Sequence, residues 1–375
     1  MNRLTKYIIK RMIINFVVLF TLFYLLGATI DIIVNLDEFV TTASRMSEDS
    51  GFIMKLIAIV KVSIGYEGPR LFEVFGFLHG VIAIGAMAFT SANMLRSREF
   101  VALMAAGISL RKIAFPFLLV MVGISAVALL NQEYMLPKVA PLLLRGYGEA
   151  GEKSAASFPI PFTPDQSGAL LLAVSLNPDT NVLTEPSFLR RDESGRMIQQ
   201  IQAESANWDS ATNAGWFLKS GRSVDIEFDE ESGQATILQP VQVDYFDTEL
   251  SPYILTLHRY GQYIGMLGMS QLNSMLDASG GFDAPLLRRH WYSRFASIAL
   301  NLLAMAIVIP LFITRETVVL SRQAIICGGV GLTIMLGGSV VMLMPIAGFP
   351  AVVSVFLPAI ILMPIAILRI VTIKT

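Results

Sequence analysis

The sequence predicts a membrane α-helical fold: six transmembrane helices interrupted by one inserted, outward-facing antiparallel β domain. Three observations carry that prediction. Of 375 residues, 54% are hydrophobic and only 15% charged, against about 25% charged in an ordinary soluble domain, and the mean hydropathy is +0.61. The net charge of −1 sums two unlike parts: residues 151–250 hold 16 Asp/Glu against 6 Lys/Arg, and the rest 13 against 22. Finally, several long runs carry no Asp, Glu, Lys or Arg. This composition excludes a disordered or nucleic-acid-binding chain and argues against a wholly soluble enzyme. Cys327 is the sole cysteine, so neither an intrachain disulfide nor a zinc site can form. His79, His258 and His290 are too far apart in sequence to suggest a metal centre.

A bilayer core about 30 Å thick takes about 20 apolar residues as helix. The charge-free runs are Met12–Ile30 (19 residues), Val74–Leu95 (22), Ile113–Gln132 (20), Phe295–Thr314 (20) and Gln323–Leu368 (46). The last is too long for one crossing at about 1.5 Å per residue. Its middle reads Pro345-Ile346-Ala347-Gly348-Phe349-Pro350, a turn signal, so it divides into two spans and the total becomes six. The first span has a basic start like a signal peptide, but its 19 residues exceed a usual signal core of about 7–15. No small-x-small cleavage site precedes Asp31, so the expectation is an uncleaved span.

Orientation follows the basic residues beside the spans. With the N-terminus inside, the inner segments hold Arg3, Lys6, Lys10, Arg11, Arg96, Arg98, Arg111, Lys112, Arg315, Arg322, Arg369 and Lys374, and the outer hairpin between spans 5 and 6 holds none. Arg45, Lys55, Lys61 and Arg70 on the outside weaken that bias without reversing it. Both termini are then expected in the cytoplasm, and the acidic insert between spans 3 and 4 outside.

Residues 138–270 change character. Short β-rich runs appear at Ala169–Leu176, Arg196–Ala203, Gly215–Lys219, Ser223–Phe228 and Ala235–Tyr245, separated by turn signals such as Asn177-Pro178-Asp179. Strands so spaced read as an antiparallel sandwich or roll. Two shorter segments complete the chain. Phe52–Tyr66 mixes apolar residues with Lys55 and Lys61, and reads equally as an interfacial segment or a packed re-entry before span 2. Arg98–Ala106 places Phe100, Leu103 and Met104 on one helical face. Gly107 can end that helix, and Ser109 can cap the next. This helix either packs beneath the spans or docks a cytoplasmic partner.

Catalytic patterns are missing. Gly146–Ser154 imitates a phosphate loop, but Glu152 separates the last glycine from Lys153 and no strand precedes it. His258 has no nucleophile motif beside it and reads as a surface or strand-end residue. Intramembrane charges usually mark ion pathways. Spans 3 to 6 contain none, leaving His79 in span 2, a packing residue or a proton relay, and Asp31 at the outer end of span 1. Energy for any uphill movement is therefore expected from another subunit. Gly328, Gly329, Gly331, Gly337 and Gly338 in span 5 suit close helix packing or room for a lipid chain.

Taken together, these segments resemble the permease family of the lipopolysaccharide export system (the LptF/LptG type, YjgP/YjgQ-like). The resemblance rests on Leu4–Arg11, Asp31 with Leu36–Phe39, and above all Arg98–Ser109 (REFVALMAAGIS), which is similar to the family's coupling helix. Gln202–Trp208 with Gly215–Gly221 resembles its A-x-x-A-x-W…W-x-L-x-x-G strands. Ser251-Pro252, Met269–Leu272, Arg294 and Pro310-Leu311 follow in order. The resemblance implies a non-enzymatic transport subunit of the inner membrane of a Gram-negative-type bacterium, with a periplasmic β-jellyroll. Implied partners are a cytoplasmic ABC ATPase dimer, a homologous permease subunit, periplasmic lipopolysaccharide-bridge proteins and lipopolysaccharide itself. No cofactor is implied for this chain, since the partner ATPase binds ATP.

The resemblance also implies roles for residues. Arg98, Glu99, Phe100, Leu103, Met104 and Gly107 would couple to the ATPase, with Glu99 meeting a basic residue there and Phe100, Leu103 and Met104 filling its groove. Span 1 departs from the family by ending in Asp31, Asn35 and Asp37 without a base. Lipid-headgroup candidates are therefore Lys138, Arg145, Arg288, Arg289 and Arg294, which read equally as interfacial anchors. The expected organisation is residues 1–137 for spans 1–3 with the coupling helix near 98–106, residues 138–270 for the β domain, and residues 271–375 for spans 4–6. Alternatives are a permease for another lipid and a membrane-anchored periplasmic sensor or assembly factor.

Overall fold

The computed structural model describes residues 3–46, 52–143, 145, 147, 157–165, 167–178, 180–192, 194–209, 215–228, 235–261, 264–277, 283–312, 320–346 and 348–371. Most of the loop imitation at 146–154, together with Arg315 and Lys374, lies outside them. The chain divides into two compact units, Met1–Leu143 with Pro285–Thr375, and Leu144–Ala284.

The first unit is helical: α1 (Arg3–Val34), α2 (Leu36–Met46), α3 (Phe52–Arg96), α4 (Glu99–Ala105), α5 (Leu110–Leu130), α6 (Leu136–Leu143), α9 (Ala284–Phe312), α10 (Leu320–Leu343) and α11 (Ala351–Val371). Among the described residues, six helices are long and apolar enough to cross a membrane. The sequence prediction of six spans therefore stands, although the helices overrun the charge-free runs. A π-helical turn, Asn131–Met135, joins α5 to α6. Phe52–Tyr66 forms the first third of α3, continuous through Pro69. Helix α2 covers part of it. Phe39, Thr42 and Ala43 of α2 are buried beside Val62, Ser63 and Tyr66, and Phe39 meets Tyr66 edge-on at 5.5 Å. Asp37 and Glu38 occupy the first turn of α2, where the helix dipole favours acids.

Within this unit, Ile8 and Met12 of α1, Met87 and Met94 of α3, Ile113, Phe117 and Met121 of α5, and Met305 and Phe312 of α9 share one buried cluster. Close approach is set by glycine at two places on α10. A Cβ on Gly331 would lie 3.3 Å from Ile84, and one on Gly338 would lie 2.7 Å from Leu300. His79 is a packing residue. Its Nδ1 lies 2.9 Å from the Gly76 carbonyl and 3.2 Å from that of Phe75, and its Nε2 lies 3.0 Å from the Asn301 amide nitrogen. The carbonyls require a proton on Nδ1, which leaves Nε2 to accept from Asn301 and ties α3 to α9.

The second unit holds α7 (Pro252–Gly261), α8 (Met269–Asp277) and an antiparallel sheet: β1 (Phe158–Pro164), β2 (Leu170–Asn177), β3 (Val182–Thr184), β4 (Ser187–Arg191), β5 (Met197–Gln202), β6 (Ser205–Trp208), β7 (Gly215–Lys219), β8 (Arg222–Phe228), β9 (Ala235–Ile237), β10 (Val241–Gln242) and β11 (Tyr245–Asp247). The registers join these pieces into longer strands. Ser175 pairs with Thr184 and Leu172 with Ser187, so β3 and β4 run along β2 in one unbroken register. The same holds for β5 with β6 and for β7 with β8, since Thr184↔Ser205 continues Ser187↔Gln202 and Ser205↔Lys219 continues Gln202↔Arg222. The connectivity is a meander of long strands.

Each long strand is interrupted at the same level, at residues 185–186, 203–204, 220–221 and 243–244. Glu185 and Ser220 carry φ of +47° and +58° there. Hydrogen bonds Glu185 N–H to Glu204 O (3.0 Å) and Glu204 N–H to Lys219 O (3.1 Å) hold the breaks in line. The two halves face each other: Phe188 of β4 stacks on Phe246 of β11 with centroids 4.1 Å apart. Inside lie Leu171, Leu183, Ile201, Ala206, Trp216 and Leu218, and the Trp216 indole N–H donates to the Leu250 carbonyl at 3.0 Å.

The β-rich runs located β2, β5, β7 and β8, and the resemblance of Gln202–Trp208 covered β6, but β1, β3 and β4 were passed over. Strand β1 carries Pro159, Pro161 and Pro164, which an edge strand tolerates; β3, β4 and β6 are short halves of broken strands. The expected run Ala235–Tyr245 divides into β9, β10 and β11: Pro240, with no N–H to give the ladder, lies between the first two, and the register shifts by two residues between the last two. His258 lies on helix α7, not at a strand end.

Candidate functional site

Helix α4 is seven residues long, too short to persist unaided, so its ends and its buried side decide its stability. Arg98 begins it in the left-handed region at φ +57°. Gly107, at φ +75°, ends it in a Schellman arrangement: Gly107 N–H donates to Met104 O at 2.9 Å and Ile108 N–H to Leu103 O at 3.1 Å. Ser109 stands at the N-cap position of α5 but makes no side-chain capping bond.

Phe100, Leu103 and Met104 share one face, as their spacing requires, but that face points inward. Phe100 is 1% exposed in the cluster that holds Ile8, Met12, Met94 and Ile113, and Leu103 and Met104 pack against it. Phe100 is therefore closed off, while Leu103 and Met104 stay partly exposed. The outward face is Arg98, Val101, Ala102 and Ala105, with Val101 59% exposed.

Glu99, the only acid between spans 2 and 3, is also engaged within the chain. Arg11 donates to its Oε1 at 2.9 Å, Ser97 Oγ at 2.8 Å, and Tyr7 Oη at 3.3 Å, with Oε2 3.2 Å from the same hydroxyl. Arg11 also donates to Tyr7 Oη at 2.6 Å. Partial burial pushes the Glu99 carboxyl upward, but the hydrogen bonds from Arg11 and Ser97 outweigh it and leave the group below the usual carboxylate range. Sequence reasoning did not single out Tyr7 and Arg11 as partners. The available signal was their i,i+4 spacing on α1 and a single acid for them to meet.

The headgroup candidates separate. Arg294 is 3% exposed and donates to Glu133 Oε2 at 3.1 Å, joining α9 to the π-helical turn; it is a buried structural cation, not a surface one. Lys138 and Arg288 are exposed and Arg289 is half-buried. Each of Lys138 and Arg289 stands five residues beyond the Glu133–Arg294 pair on its own helix. Arg145 is buried in the β-bearing unit. Asp31 meets Arg70 of α3 at 3.2 Å, and the Arg70 guanidinium lies 4.0 Å from the Tyr66 ring centroid and 3.9 Å from Glu67. Thus the base missing from the end of span 1 stands on α3, already paired with acids.

From Arg11 to Asp31 is 20 residues of α1, about 30 Å of rise, the thickness of a bilayer core. Midway along it, Leu19 and Phe23 wall an apolar cavity of about 420 Å³ with Val81 and Phe89 of α3 and Gly328 and Leu332 of α10. Among the described residues no charged side chain lines it, and Phe23, Phe89 and Leu332 are exposed on its rim. Its size falls in the range of small-molecule sites, but its chemistry suits a hydrocarbon chain. Gly331 serves packing here, whereas Gly328 borders open space, so the α10 glycines divide between the two readings. No group of three or more potential metal ligands occurs among the described residues.

Six membrane-length helices among the described residues, a β domain inserted between the third and fourth, and an apolar cavity open on the helix flank are the features of a multi-pass membrane protein. The sequence model of the family described as Lipopolysaccharide export system permease LptF/LptG matches residues 75–372. The chain belongs to that family, and is a permease-type protein of the inner membrane. No curated protein matches the chain significantly.

Proposed function

We propose that this chain is the permease subunit of an ABC exporter that draws lipopolysaccharide from the outer leaflet of the inner membrane. Cargo then passes through the β domain to a periplasmic bridge. The observation that carries this reading is the cavity between α1, α3 and α10, whose described lining is apolar. It lies halfway along the apolar length of α1 and opens sideways, where an acyl chain arrives from the bilayer without crossing a polar barrier. Energy comes from a separate cytoplasmic ATPase docked on the outward face of α4, and a homologous permease completes the pathway. Both termini are then cytoplasmic and the β domain periplasmic, as the basic flanks indicate. Lys138, Arg288 and Arg289 are the cations best placed for lipid phosphates, while Arg294 is committed to Glu133.

The test is photocrosslinking in cells from Phe23 and Leu332. Lipopolysaccharide adducts from both positions are expected. Adducts to phospholipid alone would reassign the cargo to another lipid, and adducts to protein alone would favour a sensor or assembly factor.

A further inference from the structure

The cavity between α1, α3 and α10 has two ends. On α3 its lining runs from Leu78 to Ala92, about 21 Å of helical rise, against about 15 Å for half of a bilayer core. Leu78 stands near the start of the charge-free run Val74–Leu95 and Ala92 near its end, so the lining passes through both halves of the membrane thickness. Phe312, the last residue of α9, and Cys327, in the second turn of α10, line the Ala92 end. The tails of an outer-leaflet lipid end near the midplane, so this part of the wall lies beyond them.

The Ala92 end carries its own cations. Gly85, Phe89 and Ala92 line the cavity at spacings of four and three, and Arg96, four residues on, continues that face. Arg96 is the last residue of α3 and is exposed. Arg322, in the first turn of α10, is exposed as well. The contact of Gly331 with Ile84 sets the levels of the two helices. Arg322 lies about 14 Å and Arg96 about 18 Å of rise beyond it in the same direction, so the two residues stand at similar depth. Phe89, 53% exposed, stands on the open rim at this end. An apolar wall that stops one turn short of a cation matches a lipid with one tail against the wall and its phosphate at the cation. We propose that this end of the cavity seats a glycerophospholipid of the cytoplasmic leaflet, with its phosphate at Arg96 and Arg322 beside it. The proposal rests on the orientation given above, which puts this end toward the cytoplasm, and is independent of the identity of the cargo.

The experiment is photocrosslinking of the full-length chain in cells, with a benzophenone side chain replacing Phe89. The same replacement at Ile361, an exposed residue of α11, measures contact with bulk bilayer lipid. Glycerophospholipid adducts are expected at both positions. Arg96→Gln should lower those at Phe89 about fivefold, the weight of one cation near an anionic headgroup, and leave those at Ile361 unchanged. Gly328→Phe, which places a ring where glycine borders open space, should lower the Phe89 adducts as well. Equal Phe89 yields with and without Arg96 mean bulk lipid only and overturn the proposal. Adducts at Phe89 to lipopolysaccharide alone also overturn it. Labelling of Arg96→Cys by a membrane-impermeant thiol reagent from the periplasmic side would reverse the orientation and overturn the leaflet assignment. Loss of the cargo reading is a separate result: Phe23 then gives no lipopolysaccharide adduct, while the Arg96-dependent phospholipid adduct at Phe89 persists.

Discussion

Arg294 and Glu133 each stand one residue outside a charge-free run, which is why the spans looked empty of charge although an ion pair ties two of them. Removing one partner of such a pair strands the other in a poorly solvated place, and the usual penalty is about 3–5 kcal/mol. Glu133 keeps a 24% exposed side chain, so screening reduces that to about 2 kcal/mol for Arg294→Met. Pairing it with Glu133→Leu should recover most of the loss, and thermal unfolding in detergent measures both. Glycine offers a second contrast. Gly338→Ala forces a Cβ against Leu300 and should destabilise by about 1–3 kcal/mol, whereas Gly337, with nothing within 4 Å, should accept alanine without loss. The sequence named both glycines but had no means of telling them apart, because the difference lies in which side of α10 meets α9.

Among the elements, α4 was legible as a helix, with its apolar face, its Gly107 stop and its acid. Its direction was not, since spacing defines a face but not what lies against it. Gly107→Ala places a Cβ in the left-handed region and should cost about 1 kcal/mol, loosening α4 and reducing ATPase co-purification while the spans stay folded. Because the Glu99 carboxyl is held below its ordinary range, its attachment is intact at neutral pH. It is lost only as pH falls below that range, through the lowered folded value. In the β unit, the Ser194 hydroxyl and Arg196 hold Asp192 down to about 2, and carboxyl NMR titration of that turn should find it there. Glu185 sits at φ +47°, a conformation that disfavours side chains by about 1 kcal/mol. Glu185→Gly should therefore stabilise the β domain and Glu185→Val destabilise it, as read by its unfolding midpoint.

For the whole molecule, hydropathy located every span because bilayer thickness imposes a length that composition alone must meet. The β unit was less legible. Its strands are short, several carry proline or a residue at positive φ, and their true length exists only when pieces pair in register across interruptions. The functional residues divide in the same way. Acids and bases were visible as types, but Arg11 with Glu99, Asp31 with Arg70, and Arg294 with Glu133 are pairs between helices far apart in sequence. The aligned interruptions in the sheet have a mechanical consequence. They form a crease across neighbouring antiparallel strands, and a sheet bends along a crease without any strand sliding past its neighbour. Bending there would keep every strand register, and the apolar packing between the halves, with the Phe188–Phe246 stack within it, resists opening.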